Sequence, residues 1–311
     1  MDNAHRDKPL INLIHFSDFA DFIQSISYNG KLHNIIYVNN HIFRGVSVED
    51  YELLPKSHRI DELHSISSQI LSEFETIMRF YEISDLSGLQ VPECYLRYSI
   101  KQIVYLANKM PYADKEYWPS EDIIPVAALA QHHGLPTRLL DWTYSFFIAL
   151  YFSASGALKK LNKDNIKRLN FAVYILNMQE LKVASMLYER SGNFFPFKII
   201  NPPYGTNEYL SAQRGLFTYW QENTRATKNN TDEMNRLPLN ERLDHFLKIN
   251  SLNRDVKFHK IIIPYEFTTR IIRYCFSNDF NAARLFPDYN GVVKHMEEEK
   301  RLNAAEAEIM L

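Results

Sequence analysis

Residues 145–160 set the first condition that any fold of this chain must meet. At helical spacing, Phe146, Phe147, Ile148, Ala149, Leu150, Tyr151 and Phe152 leave almost no polar face. A helix that is apolar nearly all round is buried on most sides, so other elements must be supplied to cover it. The chain can supply them. Its 311 residues, 46% of them hydrophobic, suffice for a core of one large domain or of a domain with appendages.

The remaining pattern mixes both element types. Residues 63–81 place Leu63, Ile66, Ile70, Phe74, Ile77 and Tyr81 on one stripe of an amphipathic helix. Residues 93–109 and 121–133 are expected to be helical, the latter stopping at Gly134 in a left-handed cap. Ser17 is placed to cap a short helix with Phe19, Phe22, Ile23 and Ile26 on one face. The β-branched and aromatic residues of 34–43 predict a strand, a turn at Asn39-Asn40 and a second strand. Further strands are expected at 170–176, 215–220 and 258–264, the first of them central, with helices at 266–276, 279–286 and from 292 onward. Residues 110–119, 135–142 and 191–205 read as loops. Residues 223–232 are polar enough to be an inserted or disordered loop. Strict βαβ alternation is missing, as are the glycine-rich phosphate loops of dinucleotide and P-loop folds. The expected class is therefore α+β, a mixed and mainly antiparallel sheet packed with several helices.

Charge and cysteine content narrow the function. A net charge of -2 supplies no global basic field to draw the chain onto nucleic acid or an anionic membrane. Two cysteines, Cys94 and Cys275, give no disulfide framework, and no apolar stretch is as long as a membrane span. The N-terminus lacks a signal-peptide pattern, so the cytoplasm is the expected compartment. His132 and His133 point about 100° apart on a helix and have no Cys or carboxylate at usable spacing, so no metal is expected.

Chemistry concentrates in two stretches. In residues 131–154, QHHGLPTRLLDWTYSFFIALYFSA, polar and charged groups crowd a helix–Gly–Pro–helix joint. Charges in such a joint must be paired or face a cleft. Arg138 and Asp141 either pair and pin the joint, with Asp141 or Thr143 capping the next helix, or line a site. In residues 41–59, HIFRGVSVEDYELLPKSHR, Arg44 ends an apolar strand before Gly45. Its guanidinium suits two oxygens of a phosphate or carboxylate, and the glycine permits close approach. The alternative is an ion pair with a carboxylate of the following helix, such as Glu73. Gln213 and Gly215 lead a later strand, and residues 284–296 read as a packing joint.

These stretches resemble the signatures of FRG domains, named for the Phe-Arg-Gly present here as Phe43, Arg44 and Gly45. Gln131, His132, Gly134, Pro136, Thr137, Arg138, Asp141, Trp142 and Thr143 match the longest block. AQRGLFT and LFPDYNG are similar to two later ones, with Asn290 where an acid would be usual. The resemblance runs from about residue 42 to residue 296. It implies an N-terminal helical segment (1–33), an FRG domain (34–297) and a charged helical tail (298–311). The chain also resembles arginine-first ADP-ribosyltransferases, which hold the phosphates of NAD with an Arg after a first strand. That likeness implies NAD as substrate, with Arg44 as phosphate anchor and Arg138 as a second. It implies Trp142 or Tyr219 as a stacking face, and a catalytic set of Gln213, His132 and Thr143. Gln213 stands where such enzymes usually carry a glutamate. The implied role is a bacterial or phage-related toxin or antiviral effector acting on a macromolecular target, with a partner protein. The alternative is a non-enzymatic sensor or interaction module that binds a nucleotide or phosphate.

Overall fold

The structure, a computed structural model, describes residues 11–309 except 39, 60–64, 95–116, 163, 203, 224–235 and 253–255. In chain order, the first half contains β1 (Ile11–His15), α1 (Phe19–Ile26), α2 (His33–Ile36), β2 (His41–Val46), α3 (Ile66–Leu86), β3 (Tyr117–Trp118), α4 (Ile124–His132), β4 (Leu140–Thr143) and α5 (Phe146–Leu158). The second half contains β5 (Asn170–Asn177), α6 (Met178–Glu189), β6 (Phe197–Ile200), α7 (Glu208–Ala212), β7 (Gly215–Trp220) and β8 (Glu222–Asn223). It ends with α8 (Leu239–Ile249), β9 (Phe258–Pro264), α9 (Thr268–Ser277), α10 (Ala282–Leu285) and α11 (Tyr289–Ile309).

Seven strands form one sheet in the order β1-β9-β5-β2-β4-β7-β6. β1 runs parallel to β9, and the other pairings are antiparallel. This is the mixed, mainly antiparallel α+β fold that the sequence predicts. β5 lies inside the sheet with residues 171–176 all buried, which explains its unbroken apolar run. The apolar α5 is capped by Ser145, whose hydroxyl accepts from the Ile148 N–H. It packs on β2 and β5, and α1, α9 and α11 close over the same cluster. Gly45 makes the contact with β2 possible. A Cβ there would stand 2.1 Å from the Ala149 carbonyl oxygen. On the opposite face, α6 and α8 cover Ile42, Val46, Tyr174 and Trp142. A third cluster joins α3 and α4 to Phe217 and Tyr219 of β7. No helix among the described residues is long and apolar enough to cross a membrane.

Several local expectations are corrected. Residues 33–36 form a helical turn rather than a strand. The Tyr37 ring stacks on His33 at 5.5 Å, a contact between residues four apart that a helical turn creates. The N-terminal segment is not wholly helical, because Ile11–His15 adds an edge strand. Asp18, not Ser17, caps α1 by accepting from the Asp21 N–H at 2.8 Å. Two expected loops contain the strands β4 and β6, and Trp118 is fully buried rather than in a surface loop. Residues 95–109 of the helix expected at 93–109 and residues 224–232 of the polar loop expected at 223–232 lie outside the described residues.

Candidate functional site

β2 pairs with β5 over its whole length, but with β4 at a single position, Phe43 opposite Thr143. Residues 43–45 of β2 and 140–143 of β4 both line a cavity of about 550 Å³. That volume lies in the range of small-molecule and cofactor sites. Gln131 and His132 at the end of α4, Ala149 and Phe152 of α5, Gln213 and Phe286 complete the wall together with Lys56 and Arg59.

Arg44 is the central polar group. Its Nη1 donates to the Asp141 carbonyl at 2.6 Å and reaches the Asp141 carboxylate at 3.5 Å. Its Nε is buried and finds no hydrogen-bond partner among the described residues. Burial and the neighbouring Arg59 hold the guanidinium below its ordinary pKa, and Asp141 offsets them in part. A cation in that position is under-satisfied, which favours an incoming anion. Asp141 is oriented from its other side by the Gln131 amide, which donates to Oδ1 at 2.6 Å. Gln131 in turn accepts from the Thr137 hydroxyl.

The His132 ring packs against Tyr209 with centroids 4.3 Å apart and the planes tilted by 49°, and Tyr209 donates to Asp288 at 2.5 Å. Burial and the adjacent His133 lower the His132 pKa below that of an ordinary histidine, so the ring is neutral at pH 7. Thr143 donates to the Gln213 carbonyl at 2.8 Å and accepts from the Ser145 N–H at 3.0 Å, which joins the entry of α5 to the lead of β7. The Gln213 amide donates to the Leu285 carbonyl at 3.2 Å, leaving its side-chain oxygen as an acceptor. Trp142 lines the cavity while its indole N–H donates to Thr218 at 2.8 Å.

Five of the seven residues singled out from the sequence thus share one cavity: Arg44, His132, Trp142, Thr143 and Gln213. Arg138 and Tyr219 stand outside it. Arg138 is buried, with Nε 2.6 Å from Glu73, Nη1 donating to the Trp220 carbonyl at 3.1 Å, and Glu222 at 3.8 Å. Tyr219 packs in the cluster of α3 and α4, where burial pushes its phenol up to about 12. The ion pairs are exchanged relative to expectation: Glu73 serves Arg138, and Asp141 serves Arg44. The cause is topological. α3 carries Glu73 into the interior, where Ser57, Gln69 and Trp118 also donate to it, while the Asp141 side chain stays 64% exposed on β4. Lys56 and Arg59 were not singled out, although the Lys-Ser-His-Arg run in the opening signature was a usable signal.

Among the described residues, no group of three or more His, Cys, Asp or Glu side chains is placed to hold a metal ion. An α+β domain with an arginine-lined cavity beside a split in its sheet is what fold and site define. The family model for the FRG domain matches residues 39–162, and this chain carries an FRG domain. That match takes in β2, β4, α5 and most of the cavity wall. No curated protein and no solved structure matches the chain.

Proposed function

We propose that the cavity binds NAD and that the protein is an ADP-ribosyltransferase-like enzyme or NAD glycohydrolase. One observation carries this reading: Arg44, His132, Thr143 and Gln213, from four separate segments, line a single cavity of dinucleotide scale. Arg44 offers a fork for phosphate oxygens. In this reading neutral His132 and the free oxygen of Gln213 hydrogen-bond ribose or nicotinamide, and Trp142 supplies an apolar wall. Cleavage of the glycosidic bond releases nicotinamide and leaves an oxocarbenium-like centre, to which an acceptor hydroxyl or water adds with loss of its proton. Asp141 is the only carboxylate among the described lining residues able to balance that charge. A role as a bacterial or phage-related toxin or antiviral effector, acting on a macromolecular target, follows from the resemblance and belongs to the same proposal.

The test is loss of etheno-NAD or transfer of label from biotin-NAD. Arg44→Ala is expected to abolish turnover, with a melting temperature near that of wild type. Unchanged turnover in that variant would remove the assignment. A second reading, a nucleotide-binding sensor without catalysis, is favoured by one observation: an amide, Gln213, stands where an acid is usual. Thermal stabilisation by NAD or ADP-ribose with no turnover would decide for it.

A further inference from the structure

Two cations at the mouth of the cavity have no assigned role. Lys56 and Arg59 lie on the short helical turn at residues 56–59, and both are exposed. Lys56 donates to the Gly134 carbonyl at 2.6 Å, and Arg59 donates twice to the Leu54 carbonyl at 2.9 and 3.2 Å. Backbone carbonyls fix where these side chains sit but do not neutralise them. No carboxylate among the described residues pairs with either one.

The lining therefore holds three cations, Arg44, Lys56 and Arg59, against one carboxylate, Asp141, a formal excess of two positive charges. Asp141 is paired with Arg44 at 3.5 Å, so the charges of the outer pair are left without a counterion among the described lining residues. A single phosphate diester brings one negative charge, whereas two bridged phosphates in a dinucleotide bring two. Arg138, the other candidate for a second anchor, is consumed by Glu73 and does not face the cavity.

We infer that Lys56 and Arg59 form a second phosphate seat beside Arg44, so that the cavity selects ligands with two linked phosphates over those with one. The inference rests on the reading of this cavity as a nucleotide site. The Coulomb repulsion between Arg59 and Arg44 is relieved when a bridged diphosphate lies between them.

The experiment is calorimetric titration of the full chain with ADP-ribose and with the methyl ester of AMP, a diester with one negative charge, for wild type and for Lys56→Gln/Arg59→Gln. Glutamine removes the charge and keeps an N–H donor on a shorter side chain, which limits the cost to the fold. Wild type is expected to bind ADP-ribose more tightly than the AMP methyl ester. The double variant is expected to lose about tenfold or more for ADP-ribose and no more than about threefold for the AMP methyl ester. Unchanged ADP-ribose affinity in the double variant overturns the second seat and leaves the nucleotide site standing. A lowered melting temperature with both affinities unchanged would assign the two cations to folding alone, and also overturns it. Wild type that binds neither compound removes the site itself.

Discussion

Replacing Arg138 with methionine tests the energetics of the joint behind the cavity. Glu73 is almost fully buried and accepts from Ser57 at 2.8 Å, Gln69 at 2.7 Å, Trp118 at 2.8 Å and Arg138 at 2.6 Å. Burial alone would raise its pKa; the Arg138 charge and hydrogen bonds outweigh that and hold it below the usual carboxylate value. Removing Arg138 leaves a buried carboxylate without its cation, a loss of about 3–5 kcal/mol. Glu222 is cushioned by Arg242 at 2.9 Å, so most of the cost falls on Glu73. With an unfolding entropy of about 2.1 cal/mol/K per residue, a chain of 311 residues shifts by about 1.5 °C per kcal/mol. The expected fall in melting temperature is therefore about 5–8 °C. The pH dependence has a definite sign. In wild type, the Glu73 contribution is present above the unfolded carboxylate pKa and is lost as pH falls through the depressed folded value. In the variant, burial dominates and the folded pKa rises. Proton uptake by Glu73, or by His58 at 3.7 Å, then recovers stability, and the gap to wild type narrows as pH drops from 7 toward 5. Adding Glu73→Gln to the variant should restore part of the loss. A melting temperature within about 1 °C of wild type at pH 7 would refute this account.

Two further outcomes are expected. Gly45→Ala drives a methyl group into the Ala149 carbonyl, at 2.1 Å on the undisturbed backbone, and should cost about 1–3 kcal/mol or more, read as a lowered urea midpoint. His58 is buried, and desolvation followed by Arg138 lowers its pKa to about 3. A histidine depressed in this way gives stability that is present above its unfolded pKa of about 6.5 and is lost as pH falls below it. Urea unfolding should show a loss of about 1 kcal/mol between pH 6.5 and 5.5 in wild type. His58→Gln should flatten that slope, and an equal slope in both proteins would contradict the assignment.

Long periodic elements were legible from the sequence. The α3 stripe, the all-apolar α5 and the strands β5, β7 and β9 each carry enough residues for their period to stand out. Four-residue strands do not. β4 carries Asp141 within its apolar residues and follows Pro136, so it reads as an irregular connection until β7 offers it a ladder. β1 has only five residues, flanked by a helical pattern, and owes its existence to the exposed edge of β9. The cavity was legible in its residue types but not in its pairings. Arg138 and Asp141 lie three apart in the chain, and proximity in sequence gave no hint that α3 would bring Glu73 across 65 positions to claim the arginine.

The cavity wall is assembled unevenly along the chain. Most of it lies within residues 39–162, the span that matches the FRG model, while Gln213 and Phe286 come from later sequence. A chain built this way can keep its recognisable span unchanged while the shape of the cavity drifts. Exchange of the two late-arriving side chains reshapes one flank of the chamber while the arginine and its supporting strand stay put. Kinship detected through residues 39–162 therefore extends to the arginine and its supporting strand and does not reach the flank formed by Gln213 and Phe286.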